Sequence, residues 1–106
     1  MTNSQRQAKR LLIDKGDEEV GEASALLKAM ANDNRLRILC LLAEGELSVT
    51  ELNQQLVLSQ SALSQHLAIL RRAQLVATRR ASQTIYYSLE GDRARTLITT
   101  LDRMSG

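Results

Sequence analysis

Apolar residues recur along this chain in short stripes, and most stripes have the period of a helix. Val20, Ala23, Leu26, Leu27 and Met30 follow a gathering of acids at Asp17, Glu18, Glu19 and Glu22. A helix N-terminus stabilises negative charge, so a first helix is expected over about 17–31. Asn32-Asp33-Asn34 reads as a turn with side chains able to cap the next helix. That helix, about 33–44, carries Leu36, Ile38, Leu39, Cys40, Leu41 and Leu42. It is apolar almost all the way round and is expected to be the most buried element, with Gly45 ending it. Ser48 with Glu51 three residues on forms a capping box, which opens a short helix from Val49 to about Gln55.

The stretch 59–74 has the most informative pattern. Leu63, Leu67 and Leu70 fall on one side of a helical wheel, while Ser61, Ser64, Gln65, Ala68 and Arg72 fall on the other. The outward set is short or planar, and all but Ala68 can form hydrogen bonds. A base-pair edge can be approached closely by such a face: serine donates or accepts, and glutamine can bond an adenine through two hydrogen bonds. A face meant only for water would more often carry Glu and Lys. A short helix, a turn of three or four residues and a longer helix with a polar outer face make the helix-turn-helix pattern. Any compact α-hairpin can share that spacing.

Beyond this helix the period changes to two. Leu75 to Thr78 is short and apolar, and Thr84 to Leu89 alternates with Ile85, Tyr87 and Leu89 on one face. Two strands joined by the polar tip Arg79-Arg80-Ala81-Ser82-Gln83 predict a β-hairpin placed as a wing. Glu90-Gly91-Asp92 then breaks the strand, and Asp92 is placed to cap a last helix from Arg93 to about Met104, striped with Leu97, Ile98, Leu101 and Met104. The fold class expected is mainly α with a β-hairpin wing, a winged helix-turn-helix. Its flanking first and last helices either complete the monomer core or pair with those of a second copy.

Composition narrows this picture. A chain of 106 residues is one ordinary domain, and with two tyrosines and no Phe, Trp or Pro its core must be aliphatic. Net charge is only +2, yet 59–88 holds four arginines (Arg71, Arg72, Arg79, Arg80) and no acid. Concentrated positive charge is the footprint of a polyanion. Residues 1–16 read as a flexible basic arm and 17–106 as the folded domain. No run reaches the length of a membrane span, and the apolar run Leu11-Leu12-Ile13 is too short for a signal peptide, so a cytoplasmic place is expected. A single cysteine, Cys40, excludes an internal disulfide and a Cys-rich zinc site. His66 stands alone at the edge of a core face and is read as structural. An enzyme is not expected, because no nucleophile pairs with a base and the glycines are scattered singly. The chain also lacks the aromatic platforms that stack unpaired RNA bases.

Three segments in order resemble the ArsR-type bacterial repressors, and within them the HlyU-like, thiol-responsive branch. They are Leu27 to Leu39, Glu46-Leu47-Ser48-Val49-Thr50-Glu51-Leu52, and Leu58-Ser59-Gln60-Ser61-Ala62-Leu63-Ser64-Gln65-His66-Leu67 followed by Leu75-Val76. The resemblance spans about 20–105. It implies a homodimeric winged-helix transcription regulator in which the first and last helices form the dimer interface. In the family's arsenic and cadmium sensors, thiolates open the third helix. Here Ser48 and Thr50 stand there, and hydroxyls are poor ligands for soft metals. The zinc and nickel sensors use His and carboxylates on the last helix, whereas 92–104 has no His and no Glu. No metal effector and no cofactor are therefore expected. The thiol-responsive branch pairs a cysteine on the second helix with one near the end of the last. Cys40 occupies the first place and 102–106 has none, so Cys40 is either a lone thiol open to oxidation or a small apolar residue packed in a buried helix.

The expected function is that of a repressor or anti-repressor on double-stranded DNA with an inverted-repeat operator. The recognition helix 59–73 would present Ser59, Gln60, Ser61, Ser64 and Gln65 to the major groove. Arg72 and the wing 79–83, through Arg79, Arg80 and Gln83, would contact backbone or minor groove. The alternative is a winged helix that docks another protein without binding DNA.

Overall fold

Caps and turns set the helix boundaries. The computed structural model describes residues 12–106, and the expected arm before Leu12 lies outside the described residues. Leu12–Lys15 forms a single 3-10 turn. Helix α1 then spans Asp17–Met30 with Asp17, Glu18 and Glu19 in its first turn. The Asn32 side chain accepts from Asn34 N at 2.9 Å and Arg35 N at 3.1 Å, which starts α2, Asp33–Ala43. The expected capping box is fully formed. Ser48 N donates to Glu51 Oε1 at 2.8 Å and Glu51 N donates to Ser48 Oγ at 3.1 Å, opening α3, Val49–Gln55. Ser59 Oγ accepts from Ala62 N at 3.1 Å and opens α4, Gln60–Arg72.

Helix α4 ends slightly sooner than its pattern suggests, because Gln74 adopts a left-handed conformation, φ 61°. Gln74 N donates to Arg71 O and Leu75 N donates to Leu70 O, both at 3.0 Å. This is the Schellman arrangement, usually built on glycine, which is why the sequence carries no obvious stop signal there.

Three strands follow a β1-β3-β2 order. Strand β1 is only Leu47–Ser48, pairing with Tyr87 and Tyr86; local sequence gave no reason to expect it. Strand β2 runs Val76–Ala81, beyond the expected Leu75–Thr78, and β3 is Thr84–Leu89 as expected. Ala81 pairs with Thr84, so the turn is just Ser82-Gln83, with Ser82 at φ 61°. The expected five-residue tip is corrected accordingly. Arg79 and Arg80 belong to the ladder, opposite Tyr86 and Ile85, because β-pairing continues to the two-residue turn that suits a twisted hairpin. Tyr87 and Leu89 pack on the core, whereas Ile85 lies past its edge and is exposed.

The core is aliphatic: Ile38, Leu39 and Leu42 from α2, Leu52 from α3, Leu63, Leu67 and Leu70 from α4, then Leu75 and Val76. Helix α2 thus buries one face and not its whole circumference; Cys40 is exposed and Leu36 and Leu41 are half-buried. The last helix, α5, spans Arg93–Ser105 and packs on α2 through the buried Ala94. Asp92 holds its N-cap position but makes no side-chain capping bond, contrary to expectation. Two arginines of its first turn anchor the helix instead. Arg93 Nη2 donates to Ala73 O and Gln74 O at 3.1 Å, and Arg95 Nη1 donates to Ala43 O at 2.9 Å. No described helix is long and apolar enough to cross a membrane.

Leu63 has no exposed surface and sits among leucines of three helices. Leu63→Ala is expected to destabilise the fold by about 2–5 kcal/mol, read as a shift in the denaturant midpoint. A loss under about 0.5 kcal/mol, the size of an ordinary surface change, would show that α4 is not anchored by this stripe.

Candidate nucleic-acid interface

The candidate interface starts from the way α4 is seated. Leu63, Leu67 and Leu70, at 0–2% exposure, hold one face against the core. That leaves Gln60, Ser61, Ser64, Gln65, Ala68 and Arg72 exposed together on the outer side and the flank. Ser59 spends its hydroxyl on the cap and lies 3.4 Å from Ser61 Oγ, so it positions the helix start as well as bordering it. His66 is half-buried, and its Nδ1 lies 3.4 Å from Arg35 Nη1. Arg35 in turn donates from Nε to Ala29 O at 2.6 Å. This ties α4 to the end of α1, a support that sequence spacing could not reveal across 31 residues. This contact is in keeping with the structural place expected of His66.

An open groove of about 400 Å³ separates the second half of α4 from the sheet, lined by Ser64, Ala68, Arg71, Arg72 and Tyr87. Arg71 belongs to the basic interval of the sequence but not to the expected contact residues. Its side chain joins Arg72 on the groove, and the visible signal was the doubled arginine at the helix end. Gln83 stands exposed in the wing turn and Arg80 is exposed two residues before that turn.

Arg79 is engaged within the protein as well as exposed. Its Nε and Nη2 donate to Glu46 Oε2 and Oε1 at 2.8 and 2.7 Å, a two-pronged ion pair, and its guanidinium carbon lies 4.5 Å from the centre of the Tyr86 ring. The hydrogen bonds from Arg79, and less strongly its charge, lower the Glu46 carboxyl pKa against an opposing desolvation; the same pair raises that of Arg79. The acid-free interval of the sequence is therefore not acid-free in space. Glu46, 33 residues away, closes on its third arginine.

Cys40 lies on the outer face of α2 beside Leu36, Arg37, Leu41, Glu44 and Leu56. The reading of Cys40 as a packed core residue is corrected: α2 turns that face to solvent. Ser48 is buried and engaged in the capping box. Among the described residues, no three His, Cys, Asp or Glu side chains come together in a way that could hold a metal ion.

A short capped helix, a tight turn, a longer helix with its small polar face outward and a two-stranded hairpin define a winged helix-turn-helix protein. A family model described as bacterial regulatory protein, arsR family, matches residues 32–78. The chain is 52% identical over 88 residues to the transcriptional activator HlyU of Vibrio cholerae, covering 83% of this chain and 82% of that protein. It is 46% identical over 89 residues to the nodulation protein NolR of Rhizobium meliloti, covering 84% and 73%. Among solved structures, HlyU from Vibrio cholerae superposes with a TM-score of 0.79 at 52% identity over 84% of this chain and 97% of that one. The transcriptional repressor BigR from Xylella fastidiosa superposes with a TM-score of 0.77 at 35% identity over 98% and 96%. The chain belongs to the arsR family of bacterial regulatory proteins, on its HlyU-like side. It is a DNA-binding transcriptional regulator and not an enzyme.

The exposure of Cys40 can be tested directly. The native protein is expected to react with a thiol-specific chromogenic reagent to one equivalent, without denaturant. Reaction only after unfolding would place the thiol in the core after all.

Proposed function

We propose that the protein is a homodimeric repressor or anti-repressor that reads an inverted-repeat operator. The recognition helix with its caps, 59–73, enters the major groove. There Gln60, Ser61, Ser64 and Gln65 meet base edges or adjacent phosphates. Ser59 caps the helix at the groove wall, and Arg72 meets the backbone. The wing 79–83 follows the backbone or minor groove through Arg80 and Gln83, with Arg79 held behind by Glu46. The observation that carries this reading is the outer face of α4, where small and planar hydrogen-bonding groups stand exposed directly behind leucines buried to 0–2%. Such a face can come within bonding distance of base edges.

Dimerisation is supported by α1 and α5. Leu27 is 57% exposed, Leu101 46% and Met104 77%, and Leu27 and Leu101 line an apolar groove with Met30, Leu36 and Leu97. Contiguous exposed apolar surface of this kind calls for a partner, and a second copy meets it with the same surface under two-fold symmetry. Two-fold symmetry in the protein implies two-fold symmetry in the operator, with half-sites about one helical turn or a multiple apart. In this reading 17–106 is the unit that both dimerises and binds DNA, residues 1–16 are an arm, and the protein works in the cytoplasm. Neither metal nor cofactor enters, and any redox response involves Cys40.

Selection of bound duplexes from a random pool tests this reading, and a shared palindrome is the expected product. A pool with no enriched sequence would remove base-specific readout. Gln65→Ala is expected to relax preference at one symmetric position, at a cost of about 1–3 kcal/mol per contact. Equal losses on operator and random DNA would assign Gln65 to the backbone. Leu101→Glu is expected to shift the protein from dimer to monomer in sedimentation velocity, since it places two carboxylates in an apolar seam. A dimer of unchanged strength would take α5 out of the interface.

A further inference from the structure

Arg79 and Arg80 are neighbours on one strand, so their side chains leave opposite faces of the sheet. Arg80 pairs in register with Ile85, on the same face as Thr78 and Tyr87, and Tyr87 borders the groove against α4. Arg79 pairs with Tyr86 on the other face, where its guanidinium rests by the ring and takes both carboxylate oxygens of Glu46. Two parallel bonds to one carboxylate are also the way a guanidinium commonly grips a phosphate. Glu46 thus fills the site that a DNA phosphate would fill. The pair is exposed, with side chains at 56% and 32%, and exposed ion pairs contribute little to folding stability. Its effect falls instead on the charge the wing offers to DNA.

We propose that Glu46 is a specificity-determining residue of DNA binding. Its carboxylate occupies Arg79 in place of a phosphate, so that of the two adjacent wing arginines only Arg80 contacts the backbone. Backbone contacts add affinity for every sequence alike, whereas base contacts distinguish them. Holding one arginine back lowers binding to random DNA and leaves the contacts of α4 untouched. The inference rests on the wing lying along DNA, and the measurement separates the two.

The test compares wild type, E46Q and E46Q/R79Q on a random-sequence duplex by fluorescence anisotropy across a salt series, with folding checked by thermal melts. Each phosphate newly neutralised steepens the slope of log affinity against log salt by about 0.9. E46Q is expected to bind random DNA more tightly with a slope steeper by about that amount, and E46Q/R79Q to return to the wild-type slope. An E46Q slope equal to wild type would overturn the proposal. So would an E46Q/R79Q slope shallower than wild type, because Arg79 would then already be on a phosphate in the native complex. If E46Q proves unfolded, the double variant decides alone by the same criterion. An R80Q slope equal to wild type would instead take the wing off DNA, and the proposal would fall with that reading.

Discussion

The outer face of α4 depends on three leucines. Leu63, Leu67 and Leu70 reach zero or near-zero exposure on a helix that packs against α1, α2 and β2. Fully burying each such side chain contributes about 1.5–3 kcal/mol. Because they lie on one side of α4, their burial fixes the rotation of that helix as well as its presence. The serines, glutamines and alanine of the opposite face inherit their direction from this seat and need no contacts of their own to hold it. A face that makes few internal contacts can afford short side chains, and short side chains are what a base edge admits.

The same logic explains which parts of the molecule could be read from the sequence. The leucine stripe, the Ser48–Glu51 box and the Ser59 cap are local: each depends on residues within a turn or two, and each appears in the structure where the spacing put it. The elements that escaped are non-local or chemically silent. Strand β1 is two residues long and exists only because Tyr86 and Tyr87 pair with it. The left-handed Gln74 stands where a glycine would have announced the end of α4. Cys40 shares a helix with apolar residues on every side, so the wheel could not tell its face from that of Ile38 and Leu39; the packing of α1, α4, α5 and β3 against α2 decided it. Charge was legible as a count but not as a field, since the carboxylate that meets Arg79 comes from far outside the basic interval.

Arginine does much of the fastening in a protein with few aromatic anchors. Arg35 caps the end of α1 and approaches His66, Arg79 joins the wing to the approach to β1, and Arg93 and Arg95 bind carbonyls at the ends of α4 and α2. A planar, permanently charged fork suits this role, because it can satisfy two acceptors at once and stack on a ring. Counting arginines therefore overstates the charge available to a polyanion. Among the described arginines, Arg71, Arg72 and Arg80 stand exposed on α4 and the outer wing, and Arg103 stands apart on α5.

The arginine pair at the start of α5 has a mechanical consequence. Arg93 grips the turn that terminates α4, and Arg95 grips the end of α2. Helix α5 is thereby tied to the end of α4 at one point and to the end of α2 at another. In the proposed dimer joined through α5, that joint would make the helix a lever. A small change in the angle at which the two α5 helices cross would be carried through Arg93 into the distance between the two reading heads. Operator spacing would then be gauged at the subunit seam, far from any nucleotide.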